Sequence, residues 1–88
     1  MRYRLVVAPA VVRQLAERLP EAAAWACYAF VTGPLLENPH RVGAPLRAPF
    51  AGQWRTRRGE YRVRYVIDDD AHVVTVLDVS HRRDAFRA

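Results

Sequence analysis

From Gln53 onward the chain alternates, and that alternation constrains its fold more than any other feature. Residues 54–65 read WRTRRGEYRVRY, with five arginines among twelve positions. Trp54, Thr56, Tyr61, Val63 and Tyr65 are interleaved with Arg55, Arg57, Arg62 and Arg64. Successive side chains of a strand point to opposite faces, so this run predicts a ribbon with one apolar and one cationic side. Arg58-Gly59-Glu60 punctuates it as a turn.

A short turn centred on Arg58-Gly59 pairs residues whose numbers sum to 117. Trp54 then opposes Val63 and Thr56 opposes Tyr61 on the core face. Arg55 opposes Arg62 and Arg57 opposes Glu60 on the other, and Arg64 continues the open face. A slip of one residue would mix the two sets, which favours this register. Like charges directly across a ladder cost a few tenths to ~1 kcal/mol per pair. Four arginines on one face are therefore expected to await a polyanion whose phosphates relieve the repulsion. A third strand follows, and an even residue sum against the second would put Thr75, Leu77 and Val79 on the core face. Arg82 would then join Arg62. Asp78 would lie near Arg64 or Arg62, either orienting a guanidinium or forming an ordinary ion pair.

The rest of the chain supplies the cover for this sheet. Tyr3 to Val7 predicts a first strand, and Pro9 suits the first turn of a helix. Val12, Leu15, Ala16 and Leu19 form an apolar stripe, with Arg13, Gln14, Glu17 and Arg18 away from it. Pro20 and Glu21 restart a helix, EAAAWACYAFVT, which ends at Gly33-Pro34. That helix is apolar nearly all round: either the sheet and first helix enclose it, or a partner covers it. Residues 38–52 hold three Pro and two Gly and predict an irregular connection. Strands are expected at about 53–57, 61–68 and 73–80. The expected class is α+β: an N-terminal strand, two helices and a three-stranded antiparallel meander, with the helices packed on one face of a single sheet.

Eighty-eight residues make one domain, 1–88, and 51% hydrophobic content argues against disorder. No apolar run approaches the ~18–20 residues that span a bilayer. The start, MRYRLVVAPAVVRQ, makes a poor signal peptide. The single cysteine, Cys27, allows no internal disulfide and fits a cytoplasmic protein with an inert buried thiol. Net charge is focused: +1 over residues 1–40, +6 over 41–64 and −2 over 65–88. Every Lys/Arg-type cation is an arginine, a planar fork suited to phosphate. His40, His72 and His81 show no ligand spacing, so no metal or other cofactor is expected.

GQWRTRRGEYRVRYVIDD followed by VVTVLDVSHRRDAF resembles the RelE/ParE superfamily of bacterial toxin–antitoxin toxins, and more closely its RelE-type, ribosome-dependent mRNA interferases. The ordered set carries the likeness: basic-x-basic on one strand, Gly-acid-Tyr-Arg opening the next, then Val-x-His-Arg and a late aromatic. The resemblance implies metal-free cleavage of mRNA in the ribosomal A site. The RNA's own 2′-hydroxyl attacks the adjacent phosphate, giving a 2′,3′-cyclic phosphate. It further implies Arg62 on the scissile phosphate and Arg82 stabilising the transition state. Arg55, Arg57, Arg58, Arg64 and Phe86 are the expected RNA contacts. The implied partners are the 70S ribosome with its mRNA and a RelB-like cognate antitoxin. The family often moves the proton with a Lys or a C-terminal Tyr, whereas this chain has no Lys and places Phe86 at the aromatic. His81 is the expected substitute, set against a purely structural role at a strand end. A ParE-like, non-enzymatic inhibitor of DNA gyrase is the alternative, as is a catalytically weak member kept for RNA or antitoxin binding.

Overall fold

Strand β1, Arg4–Val7, runs through Ala8 into Pro9, whose fixed φ and missing N–H suit the first position of helix α1, Pro9–Arg13. The computed structural model of the chain describes residues 2–81. Helix α1 widens at its end into a π turn, Gln14–Arg18, closed by Leu19 N–H donating to Gln14 C=O. The extra residue in that turn changes the phase of the expected stripe. Val11 and Leu19 are buried, while Val12 is 59% exposed. Helix α2, Glu21–Thr32, ends at Gly33, and Pro34 opens the four-residue helix α3, Pro34–Glu37.

The connection after α3 contains one element not anticipated, the two-residue strand β2, Ala44–Pro45. Then come β3, Trp54–Arg58, β4, Tyr61–Asp68, and β5, Val73–His81. The expected meander thus sits inside a five-stranded sheet of order β1-β5-β4-β3-β2. β1 lies parallel to β5, and the other neighbours are antiparallel.

Two registers differ from expectation. β3 and β4 pair Trp54 with Tyr65, Arg55 with Arg64, Thr56 with Val63 and Arg57 with Arg62. The slip is two residues, so the apolar and cationic faces stay separate. Its cause is the turn. A turn on Arg58-Gly59 would need positive φ at arginine, costing roughly 1–2 kcal/mol. The observed turn on Gly59-Glu60 asks it only of Gly59, at φ +56. Between β4 and β5 the pairing runs Arg62 to Ser80 and Arg64 to Asp78, then Tyr65 to Val76. Leu77 is the extra residue of a bulge. It inverts the parity of the first half of β5, so Val74 and Val76, not Thr75 and Leu77, face the core with Val79.

The core lies between that sheet face and the helices, with Ala23, Cys27, Phe30 and Val31 of α2 meeting Tyr61, Val63, Tyr65 and Val76. Burial pushes the Cys27 thiol up to about 11 and the Tyr65 phenol up to about 12. Helix α2 is only half enclosed. Trp25 and Tyr28 are 66% and 54% exposed. They border an apolar groove of about 790 Å³ between α1 and α2, shared with Val12, Leu15 and Leu19.

Candidate nucleic-acid interface

The face of β3–β5 turned away from the helices carries the arginines. Arg55 stands opposite Arg64 and Arg57 opposite Arg62, two direct like-charge pairs. They floor a cleft of about 630 Å³, together with Asp78 and Ser80 of β5. Its side is the 41–46 segment at the β3 edge, which adds a fifth arginine, Arg41, to the lining.

That wall is fastened from the core side. Tyr65 Oη donates to Pro39 C=O at 2.7 Å, and Thr56 Oγ1 donates to Val42 C=O at 2.8 Å. Strand β2 completes the attachment by pairing with Trp54 and Arg55. Gly43 permits the approach, since a Cβ there would sit 2.2 Å from Tyr65 Oη and 2.7 Å from Arg55 C=O.

No ion pair among the described residues neutralises the arginines of the cleft. Among the described residues the charge pairs are His40–Asp69 at 3.1 Å and His81–Glu60 at 3.6 Å, and neither involves the cleft. The Nε atoms of Arg62 and Arg64 are buried without a hydrogen-bond partner. Buried donors are nearly always satisfied, so these two N–H groups on one cationic floor call for an acceptor that the described residues do not supply. The Arg64 guanidinium lies 5.9 Å from the ring centre of Phe50, a half-exposed aromatic.

Four of the expected RNA-facing arginines, Arg55, Arg57, Arg62 and Arg64, therefore meet in one place. Arg58 does not join them. It shares the parity of Trp54 and Thr56, and its guanidinium lies 4.6 Å from the Phe30 ring on the helix side. His81 is also apart from the cleft: it follows the parity of Val79, faces Tyr61 across the ladder and is buried, leaving Ser80 to line the cleft. Arg82 and Phe86 lie outside the described residues. His40 and His72, expected in solvated connections, belong to a cluster at the other end of the ladder. His72 stacks on Tyr3 at 3.9 Å, and His40 meets Asp69 and the edge of Trp54. Hydrogen bonding from Tyr3 and His40 holds the Asp69 carboxyl below its usual range.

Arg41, Ser80, Phe50 and Gln14 carry no signal in the sequence that marks them for this site. Gln14 reaches from the π turn to β5, where its Nε2 donates to Asp78 Oδ1 at 2.7 Å and its Oε1 accepts from Val79 N–H at 2.9 Å.

Comparison with known proteins converges on one group. Residues 8–86 match the family described as ParE toxin of type II toxin–antitoxin system, parDE. The chain is 46% identical to Toxin RelE of Mycobacterium tuberculosis (strain ATCC 25618 / H37Rv), over 97% of this chain and 87% of that protein. It is 44% identical to Toxin RelG of the same organism, over 80% of each. Its fold superimposes with TM-score 0.89 on a chain of the toxin–antitoxin complex RelBE2 from M. tuberculosis, at 39% identity and covering 93% of this chain and 100% of that one. The archaeal RelE–RelB complex from Pyrococcus horikoshii OT3 gives 0.72 at 25% identity, with both chains fully covered.

Proposed function

The chain belongs to the RelE/ParE superfamily of toxins from type II toxin–antitoxin systems, and from that premise we propose that it is a metal-independent endoribonuclease acting on ribosome-bound mRNA in the A site. The observation that carries this reading is the un-neutralised floor of the cleft, above all the buried Nε–H groups of Arg62 and Arg64. Attack of a 2′-hydroxyl on the adjacent phosphate builds negative charge on a pentacoordinate phosphorus, and fixed guanidinium groups stabilise that charge directly. Arg62 takes the scissile phosphate. Arg64, Arg57, Arg55 and Arg41 hold the flanking backbone, and Arg82 helps to offset the negative charge of the transition state.

Asp78 is the one titratable group other than arginine among the described residues lining the cleft. With His81 on the opposite face and no Lys in the chain, catalysis rests on charge stabilisation by the arginines. This makes the protein a slow nuclease. A cognate antitoxin is its partner, with the apolar groove between α1 and α2 as the surface to be covered. The M. tuberculosis structure named above is a toxin–antitoxin complex, and the archaeal one is a RelE–RelB complex.

Primer extension on a translated mRNA tests the reading: codon-phased cuts are expected with the wild type and none with Arg62→Ala. The matched family is described as ParE toxin, which favours one second reading, the ParE-like, non-enzymatic inhibition of DNA gyrase set out above. Loss of plasmid supercoiling with intact mRNA would establish it instead.

A further inference from the structure

Asp78 stands directly across the ladder from Arg64, on the floor of the arginine cleft, yet the two do not pair. Directly opposed residues have Cβ atoms about 4.5–5.5 Å apart, within easy reach of an aspartate and an arginine. The carboxylate is bound instead by Gln14, whose Nε2 donates to Asp78 Oδ1 at 2.7 Å. The amide is itself fixed at its other end. β1 stops at the Val7–Val76 pair, so the edge of β5 beyond it has no strand partner, and Gln14 Oε1 takes the Val79 N–H there at 2.9 Å. The residue sits where α1 widens into its π turn, an insertion frequent at functional sites.

We infer that Gln14 is a positioning residue: it holds the Asp78 carboxylate away from Arg64 and Arg62, and so keeps their guanidinium groups free for phosphate. This deepens the RNA-cleaving reading and rests on it for the identity of the anion. Without Gln14 the carboxylate swings onto Arg64 and forms the ion pair that the register invites, removing one charge-assisted contact from the cleft.

Two measurements on the full chain test this. The first is fluorescence anisotropy with a short single-stranded oligoribonucleotide carrying 2′-deoxy positions, so that binding is read without cleavage. Gln14→Ala is expected to weaken affinity about tenfold, the size of one lost charge-assisted hydrogen bond. Asp78→Asn is expected to bind at least as well as the wild type, and the loss is expected to vanish in Gln14→Ala/Asp78→Asn. A loss that persists in that double variant, relative to Asp78→Asn alone, would mean that Gln14 only supports the strand edge, and would overturn the inference. Gln14→Ala binding like the wild type would also overturn it.

The second measurement is the arginine Nε–Hε spectrum without RNA. Gln14→Ala is expected to shift the Arg64 resonance, and the shift is expected to disappear in the double variant. Asp78→Asn, which keeps the amide of Gln14, guards against a Gln14→Ala protein that does not fold: the Arg64 resonance should stay near its wild-type position. A shift in Asp78→Asn as large as in Gln14→Ala would place the carboxylate on Arg64 already and sink the proposal. Wild type that fails to bind the oligoribonucleotide while the spectrum behaves as expected would remove the RNA reading but leave the role of Gln14 standing.

Discussion

Arg62 carries a buried Nε–H with no acceptor among the described residues, so its truncation to alanine removes a charge without opening the core. Arg62→Ala is expected to fold normally and to lower single-turnover cleavage by about 10²–10³, the range for loss of one transition-state donor. A folded variant with near wild-type cleavage would exclude the assignment. His81 makes the opposite case. The lack of Lys and the Phe86 position single it out in the sequence, but one step of strand parity turns it toward Tyr61 and away from the cleft. His81→Gln is therefore expected to change the rate far less than the ~10²–10⁴ typical of a lost general base. A folded variant that loses most of the wild-type rate would return His81 to the chemistry.

Secondary structure was largely legible, because a period of two with Gly59 in the middle admits few foldings. The fine register was not. Counting faces cannot distinguish turns that differ by two residues, and only the φ demanded of Arg58 against Gly59 decides between them. The bulge was hidden for a different reason: residues 73–77 read VVTVL, so either parity offers apolar side chains to the core. Arg41 stayed invisible because its segment has no period. Its position comes from Tyr65 and Thr56 gripping Pro39 and Val42, and from the close approach at Gly43. Gly43→Ala drives a methyl into Tyr65 Oη and is expected to cost about 1–3 kcal/mol. Chemical denaturation should read that loss, and RNA affinity should fall with it as the wall carrying Arg41 moves. Unchanged stability and affinity would show that the wall is not held this way.

Across the molecule, the cationic cleft and the apolar groove lie on opposite sides of one sheet, which lets them be tested apart. Trp25→Asp should weaken antitoxin binding by more than about 2 kcal/mol, as for a central aromatic anchor, while leaving mRNA cleavage intact. An antitoxin titration with equal affinity for both proteins would refute the groove as the docking surface. Stability should also fall in alkali. Cys27 and Tyr65 keep their protons in the folded state to about 11 and about 12, against ordinary values of 9.0 and 10.0. The unfolded chain thus loses protons first, and unfolding becomes easier as pH rises through that window. A denaturation midpoint that is the same at pH 8 and pH 10.5 would contradict this. The rim of the cleft has a last consequence, for crowding and self-assembly. The sheet ends on this side in β2, two residues long, and one of them is Pro45, which has no N–H to offer. Such an edge gives another copy no ladder to extend, so the protein can keep its cationic face bare without that border seeding fibres.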